Sequence, residues 1–529
     1  MDRGRKFWGA LALSGGLMLV GCGGGGGGGS NLNNPPSSGS NPPPASSTDF
    51  EEGIFSNPST YAAQCAVPRG AGFNDSQGSA EDENDWLRAW SHELYLWYDE
   101  ITDRDPRDYS TPDYFELMKT EGTTPSGSPK DQFHFTYDTE VWQQLSQSGI
   151  SAGYGASVEL ISASPPRRAV VAFVEPGSPA EAAGLTRGTA IIEVDGADLV
   201  NGGTQADVDV LNAGLFPDAA GESHDFVVED FDGANRRSIT MVSAEITQDP
   251  VPTARIIETV RGPVGYMLFN DHIAPAEAAL VEEIESFAAA GIVDLVLDLR
   301  YNGGGYLDIA NELAFMIAGP SAASGRVFGE IQFNDKHTSI NPITGAGLSP
   351  EFFHETTQGF SLTSGDSLPS LSIPRVYVLS TGGTCSASES IINGLRGIGF
   401  EVVLVGGATC GKPYGFYPED NCGTTYFSIQ FRGLNAAGFG DYADGFVPTE
   451  TPLEEYEVFG CDASDDFSRA LGDVDETLLA TALHHMENGD CVLPIAVSSA
   501  AEELQVADPA ASGGLPISQP VRIPGMIIR

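Results

Sequence analysis

The sequence predicts an α/β protein of several domains. After residue 251, apolar runs that read as buried strands alternate with amphipathic segments that read as helices, which predicts parallel βαβ units. Residues 150–245 instead hold short β-rich runs between turns, and residues 81–100 repeat apolar side chains at helical spacing. With 529 residues, 41% of them hydrophobic, the chain has room for about three packed domains.

The charge balance excludes one class of partner. The chain has 73 acidic and 26 basic residues, a formal net charge of -47. A field of this sign repels phosphate backbones and anionic lipid surfaces and keeps the protein soluble. We therefore predict no nucleic-acid partner.

Residues 1–21 have the pattern of an export signal. Arg3, Arg5 and Lys6 precede an apolar stretch over 7–20 that is too short to span a bilayer comfortably. The stretch ends in Leu-Val-Gly-Cys22, which resembles a bacterial lipobox. That resemblance implies lipidation of Cys22; the alternative is an ordinary signal peptide cut nearby.

The segment after Cys22 predicts a flexible tether between a membrane anchor and the folded domains. Residues 22–49 are rich in Gly, Ser and Pro and read as a flexible linker. Gly23 after the cysteine resembles an outer-membrane sorting signal. We therefore expect a cell-envelope protein whose lipid anchor at Cys22 holds it at a membrane, the outer membrane, facing the periplasm or the exterior.

Export changes the interpretation of the cysteines. An even number remains after Cys22, and an oxidising compartment favours disulfides among them: Cys65, Cys385, Cys410, Cys422, Cys461 and Cys491. Six cysteines allow fifteen connectivities; proximity along the chain favours Cys410 with Cys422 and Cys461 with Cys491. None has zinc-ligand spacing, so no metal site is predicted.

Residues 50–146 predict a small helical domain. Trp86, Trp90, Leu94 and Trp97 recur at the spacing of one helix face. A buried stripe explains this pattern better than a ligand cage. At the other end, residues 457–529 predict a helical appendage, with a helix over 465–485, and a poorly structured tail.

Residues 147–247 resemble a PDZ domain. The stretch 174–196 reads as strand, turn, short helix, turn and strand, as in the signature of that family. Upstream, Gly153, Tyr154, Gly155 and Ala156 resemble its carboxylate-binding loop. Glycines let successive N–H groups point into one concavity, and a neighbouring strand edge then accepts a peptide. The alternative is a glycine-rich turn without a ligand.

Residues 248–456 predict the chemistry-bearing α/β domain. We expect strands over 264–269, 293–300, 375–380 and 402–405, and helices over 274–290, 307–317 and 386–396. The stretch 318–373 lacks clear periodicity and reads as an insertion with a hairpin.

Ser386 has the position of a nucleophile. A strand ends, a glycine turn follows, and Ser386 opens a helix whose unpaired N–H groups and dipole favour an oxyanion nearby. The alternative is a helix cap, in which Glu389 completes a capping box.

Two further turns strengthen the interpretation of Ser386. Residues 298–305 read DLRYNGGG, and such glycines let the backbone approach a reacting carbonyl. Lys412, one of only five lysines, follows the next strand, 26 residues after Ser386. Consecutive parallel strands bring these turns to one sheet edge, where a buried amine would have a lowered pKa and could accept the serine proton.

Together these motifs resemble peptidase family S41, the C-terminal processing proteases. DLRYNGGG at 298–305, Ser-Ala-Ser-Glu at 386–389 and Gly-Lys at 411–412 match its motifs, and the domain order agrees. The resemblance implies a crotonase/ClpP-like catalytic core, no cofactor, and protein or peptide substrates with exposed C-termini. It implies Ser386 as nucleophile, Lys412 as base, and an oxyanion hole formed by Ala387 and one of 303–305, with Gly304 preferred.

One position departs from the family pattern. Many members have Gln four residues after the lysine, where this chain has Phe416, so another group must orient Lys412; Glu389 and Gln430 are candidates. A Ser–His arrangement occurs among relatives of the family, which makes His272 the alternative base.

Two rival functions remain at this stage. The first is a catalytically silent envelope lipoprotein that binds peptides and keeps the peptidase fold. The second is a crotonase-like enzyme acting on acyl-thioesters, which would need neither a PDZ domain nor a Ser–Lys dyad. The preferred function is a serine endopeptidase that recognises substrate C-termini through its PDZ domain and forms an acyl-enzyme.

Overall fold

The computed structural model of the protein describes residues 50–491 and 525–528. The predicted signal peptide, the predicted linker with Cys22 and most of the predicted tail lie outside these residues. Within the described residues, no helix is both long enough and apolar enough to cross a bilayer.

Residues 50–148 form a mainly helical region. Its first long helix begins at a capping box between Ser79 and Asp82. Trp86, Trp90 and Leu94 are buried on one face of that helix, as predicted, whereas Trp97 lies after the helix has ended. The elements are β1 Gln64–Cys65, β2 Ser76–Gln77, α1 Ala80–Leu94, α2 Thr111–Glu116, β3 Phe135–Asp138 and α3 Thr139–Ser148.

The next region forms an antiparallel sheet around its own apolar core. The sheet order is β10-β9-β7-β6-β5, with β8 on β7, and β4 pairs with β11 in a separate ladder. Val171, Leu211 and Phe226 lie in the core. The elements are β4 Ile150–Gly153, β5 Ala156–Ser162, β6 Arg168–Val174, α4 Pro179–Ala182, β7 Ala190–Val194, β8 Ala197–Asp198, α5 Gln205–Leu215, β9 Ser223–Glu229, β10 Arg237–Val242 and β11 Ala244–Thr247.

The remaining elements build the largest region. They are β12 Thr253–Thr259, β13 Gly262–Leu268, α6 Ala276–Ala290, β14 Asp294–Asp298, β15 Gly304–Tyr306, α7 Leu307–Ala318, α8 Pro320–Ala323, β16 Val327–Phe333, β17 Glu351–Phe352, β18 Arg375–Ser380, α9 Ala387–Gly397, β19 Glu401–Gly406, β20 Tyr414–Phe416, β21 Glu419–Asn421, β22 Thr424–Phe427, β23 Phe431–Leu434, β24 Val447–Thr449, β25 Glu457–Asp462, α10 Thr477–Asn488 and β26 Gly525–Ile527.

The central sheet of this region has seven strands in the order β12-β13-β14-β18-β19-β25-β24. In this sheet, neighbouring strands run parallel to one another, except that β12 at one edge is antiparallel to β13. Helices cover the faces of such a sheet, which explains why β14 and β18 are nearly continuous apolar runs. The turns after β14, β18 and β19 therefore emerge at the same edge.

The sheet extends beyond the predicted boundary at residue 456. Residues of β25 pair in parallel with β19, although the sequence assigned them to the appendage. The predicted helix over 465–485 is the shorter α10. A second sheet, β15-β26-β20-β23-β16-β17, contains strands of the predicted insertion, and β3 of the helical region pairs with β22.

Candidate active site

Ser386 lies in a strained turn at the start of α9. Its backbone φ is 60°, a left-handed value that costs a serine about 1–3 kcal/mol. Its Oγ is fully buried and has no hydrogen-bond partner among the described residues. Ala387 follows as the first residue of the helix, so its N–H lies at the positive end of the helix dipole. A strained, unpaired hydroxyl beside such donors is typical of a nucleophile.

The Glu389 carboxylate joins the serine turn to the lysine turn. Its Oε2 accepts hydrogen bonds from the N–H groups of both Ser386 and Lys412, each at 2.8 Å. Its Oε1 accepts from the Gly411 N–H at 2.9 Å and from the Thr409 hydroxyl at 2.6 Å. Burial raises the pKa of Glu389, and these donors oppose that shift. The predicted cap is therefore also the bridge between the two loops.

The Lys412 side chain is fully buried in an aromatic niche. Its Nζ lies 4.3 Å from the ring centroid of Phe416 and 4.5 Å from that of Phe133. Burial lowers the pKa of Lys412 well below its usual range, although the charges of Asp131 and Glu389 oppose this shift. An amine whose pKa is lowered loses its proton more readily and can then accept one from a hydroxyl.

The niche explains the departure at residue 416. Phe416 faces the lysine directly and replaces an amide by a ring face. Of the two orienting candidates, Glu389 holds the Lys412 backbone, whereas Gln430 bonds the backbone N–H and carbonyl of Tyr417. Asp131 and Phe133 come from the helical region and were missed, because no local pattern links them to a residue some 280 positions away.

The glycine turn after β14 lies against the nucleophile. A Cβ at Gly304, where φ is +108°, would lie 3.0 Å from Ser386 Cβ and 3.0 Å from Ala387 N. Only glycine fits such an approach. The Gly304 N–H donates to Asn302 Oδ1 at 3.0 Å, so its predicted part in an oxyanion hole requires Asn302 to release it. That role stays a prediction.

His272 lies on the other side of the same glycine turn. Its Nδ1 donates to Asn302 Oδ1 at 2.9 Å, since that oxygen can only accept. Its Nε2 is consequently the unprotonated nitrogen, and it is buried without a partner among the described residues. Burial lowers the pKa of His272 to about 3, which keeps the ring neutral. A ring with so low a pKa is always unprotonated near neutral pH but has little affinity for a proton, which favours Lys412 over His272 as the base.

Three disulfides involve all six predicted cysteines. Cys461 pairs with Cys491 as predicted. The predicted pair Cys410–Cys422 is wrong: Cys410 bonds Cys385, and Cys422 bonds Cys65 of the helical region. Proximity in sequence failed because β19 returns Cys410 to the serine turn. Cys385 immediately precedes the serine, a signal that could have suggested this pair.

The predicted peptide-binding loop connects β4 to β5. Tyr154 is buried and donates its hydroxyl to the Gly214 carbonyl at 3.0 Å, so its side chain belongs to the core. Gly155, with φ +75°, packs against Ser178 and accepts from the Glu175 N–H through its carbonyl. The loop leads into β5, the outermost strand in the sheet order.

Within the part of the chain that the structure describes, two side-chain groups have the composition of metal ligands. In the first, Cys385 and Cys410 near Glu389 are already joined as a disulfide and offer no thiolate. In the second, His354 Nε2 lies 3.0 Å from Asp308 Oδ1 and 3.5 Å from Glu351 Oε1, which an ion-pair cluster explains.

Comparisons with known proteins match two regions of the chain to known families. Residues 263–415 match the model of peptidase family S41, and residues 143–213 match that of the PDZ domain. A carboxyl-terminal-processing protease from Picosynechococcus is 27% identical over 237 residues, which cover 45% of this chain. The chain spans about half (49%) of the length of that relative.

A solved structure supports the fold. A protein from Bacteroides fragilis assigned to the S41 proteases superposes with a TM-score of 0.57 and 24% identity, over 80% of this chain and all of that chain. These matches confirm the two resemblances drawn from the sequence. The chain therefore carries a PDZ domain followed by a domain of peptidase family S41.

Proposed function

We propose that the protein is a serine endopeptidase in which Ser386 is the nucleophile and Lys412 the general base. The observation that carries the proposal is the Glu389 oxygen that binds the N–H groups of both residues. Two backbones held within 2.8 Å of one atom bring their turns together. Burial supplies the neutral lysine that the reaction needs.

The reaction is an acyl transfer in two halves. Ser386 Oγ attacks the scissile carbonyl as its proton moves to Lys412 Nζ, and the resulting oxyanion is stabilised by N–H donors of Ala387 and the 303–305 turn, with Gly304 as the preferred donor. The lysine returns the proton to the leaving amine as the peptide bond breaks. Water then attacks the acyl-enzyme and gives a proton to the lysine; as the ester bond breaks and the acid leaves, the lysine returns that proton to Ser386 Oγ.

The substrates proposed are proteins or peptides with exposed C-termini. The relative from Picosynechococcus is a carboxyl-terminal-processing protease, and this chain matches a PDZ model that includes the 153–156 loop. Extended peptides add to a sheet edge beside such loops, so β5 is the proposed acceptor strand. A lipid anchor at Cys22 would keep the enzyme in the cell envelope, at the outer membrane; this proposal rests on the lipobox resemblance alone.

The nucleophile can be tested directly. Wild-type protein should hydrolyse fluorescent casein and form a stable adduct with a fluorophosphonate, detectable by mass spectrometry on the peptide that contains Ser386. Ser386→Ala should lose both signals, whereas Ser364→Ala, an exposed serine, should keep both. If Ser386→Ala hydrolyses casein at the wild-type rate, the proposal is wrong; if neither protein is active at any pH, the silent peptide-binding alternative is favoured.

A pH profile separates the two candidate bases. With Lys412 as base, kcat/KM should rise with pH through the lowered lysine pKa, and His272→Asn should retain that rise. If instead Lys412→Met stays active and His272→Asn does not, the base is the histidine.

A further inference from the structure

The strand β26 lies between the two strands that lead out of the candidate active site. It pairs in parallel with β15 on one side, with Gly304 opposite Gly525 and Tyr306 opposite Ile527. On the other side it pairs in parallel with β20, with Gly415 opposite Met526 and Phe416 opposite Ile527. The Ile528 N–H adds a hydrogen bond to the Phe416 carbonyl. A short peptide segment thus fills a slot between two edges.

Both edges of this slot belong to the catalytic apparatus proposed above. β15 begins at Gly304, whose backbone lies against Ser386. β20 begins two residues after Lys412 and contains Phe416, the ring that faces the lysine Nζ. An extended peptide in this slot therefore runs beside the nucleophile and the base together. Strand addition of this kind is how proteins commonly hold extended peptides.

The arrangement leaves no entry for a substrate. Ser386 and Lys412 both have 0% relative exposure, so a scissile carbonyl cannot reach Oγ unless some element moves. α9 and β19 are anchored in the central core and cannot leave without unfolding it. β26 also contributes Met526 and Ile527 to that core, but it is only three residues long and occupies the slot itself.

The slot also contains a side-chain pocket. Met526 is buried to 1% exposure and lies over Gly415, where a Cβ would come within 2.7 Å of the methionine Cβ. Gly433 also lies beside this side chain, and a Cβ there would make an ordinary contact of 3.5 Å with the Met526 sulfur. Met526 lines a small cavity together with Leu307, Phe328 and Tyr442. The pocket accepts an unbranched apolar side chain from a peptide in the slot.

We propose that β26 occupies the slot in which a substrate peptide binds as a strand, and that an incoming peptide displaces β26 from it. The inference rests on the proposed function for the identity of the site. It adds an autoinhibitory segment and a substrate preference for an apolar side chain at the position that Met526 occupies. The structure, in which Ser386 is fully buried and β26 fills the slot, is then the inhibited state of the enzyme.

Displacement can be measured without catalysis. Full-length Ser386→Ala protein is incubated with excess synthetic peptide of residues 522–529, and amide hydrogen exchange is followed by mass spectrometry. The peptide should accelerate exchange in β26 at least about fivefold and leave β14 and β18 unchanged. The same peptide with Asp at the Met526 position is the control and should have no effect. Equal, slow exchange in β26 and β18, with or without peptide, would identify β26 as a permanent core strand and overturn the inference.

A second measurement tests autoinhibition in the active protein. Met526→Asp should weaken the docking of β26 and speed fluorophosphonate labelling of Ser386 about tenfold or more. Leu453→Asp, on an exposed surface, should label at the wild-type rate. A folded Met526→Asp protein that labels no faster than wild type contradicts the inference. If that variant does not fold, the exchange experiment alone tests the inference. If the peptide accelerates exchange in β26 but no variant is labelled, the displacement of β26 is supported and the proposed catalysis by Ser386 is wrong.

Discussion

The burial of the Lys412 amine has a free-energy cost that depends on pH. An amine with no exposed surface has lost its hydration, and this lowers its pKa although the charges of Asp131 and Glu389 oppose the shift. The unfolded chain therefore binds more protons than the folded one between the lowered pKa and 10.5, so this contribution to stability improves as pH rises through that window and is poorest below it.

This linkage gives a prediction for Lys412→Met. Methionine fills a similar volume without a charge, so the variant should be more stable than wild type by about 1–3 kcal/mol at pH 7, and the difference should shrink as the pH approaches 10. Casein hydrolysis should fall by about 10³-fold or more. Urea unfolding at several pH values measures the first effect. Lys119→Met, at a surface ion pair, is the control; a variant less stable than wild type would contradict the assignment of a neutral buried amine.

Glu389 is a positioning residue in the same site. In Glu389→Gln the amide NH₂ would face at least one backbone N–H, because the native carboxylate accepts on both oxygens. We expect a loss of about 2–3 kcal/mol in stability and about 10²-fold in kcat. If the role of Glu389 were purely structural, the substitution would not change the pH profile. Loss of the nearby negative charge should instead lower the Lys412 pKa further and move the acidic limb of the kcat/KM profile to lower pH. Glu285→Gln, on the outer face of α6, serves as the control.

At the residue scale the sequence predicted groups that carry a local signature. Ser386, Glu389 and Lys412 each sit in a recognisable turn next to a strand or helix end, and such turns share one edge of a parallel sheet. Asp131 and Phe133 have no such signature. They reach the lysine only because the helical region packs against the S41 domain, a contact that depends on pairings such as Phe135 opposite Phe427.

At the scale of elements, a disulfide joins the two loops that are proposed to be catalytic. Cys385 directly precedes Ser386, the proposed nucleophile, and Cys410 lies two residues before Lys412, the proposed base. The bond closes a loop of about 25 residues and should stabilise the fold by about 3 kcal/mol. It also limits the separation of the serine and lysine turns.

We therefore expect the double variant Cys385→Ser, Cys410→Ser to lose about 10-fold or more in kcat and to unfold at lower denaturant concentration. Replacing Cys461 and Cys491 in the same way removes a disulfide of similar loop length, separated by 30 residues, from another part of the sheet. That control should lose stability but keep most of kcat at a temperature where it is folded. Equal kcat losses in both double variants would show that the Cys385–Cys410 disulfide has no special role.

Elements with strong periodicity were predicted well, and their long-range partners were not. The strand expected over 375–380 is β18, and the helix expected over 274–290 is α6. Alternation of buried and exposed residues predicts an element but not its neighbour. Consequently β25 was assigned to the appendage, and the pairing of β26 with β15 and β20 had no local signal at all.

At the scale of the whole molecule, Arg187 connects the PDZ domain to the residues before the glycine turn beside Ser386. Its guanidinium donates to the Tyr301 hydroxyl and to Asp465 Oδ1, each at 2.6 Å, and lies over the ring of Phe467. Asp465 also accepts from Arg300 at 2.6 Å. Arg300 and Tyr301 precede the turn that contains Gly304, so a movement of the PDZ domain would be transmitted to the backbone beside Ser386.

Arg187→Ala should uncouple the two domains without harming either core. Removal of one partner from a nearly buried ion pair costs about 3 kcal/mol, although Asp465 keeps its contact with Arg300. We expect kcat for a short peptide to fall about tenfold, because the Tyr301 turn is no longer held, while calorimetry should give unchanged affinity of the PDZ domain for a C-terminal peptide. Arg237→Ala, which removes a more exposed pair with Asp230, should change neither quantity. If Arg187→Ala is folded and matches wild type in kcat, the PDZ domain acts on catalysis by another route or only by holding substrate.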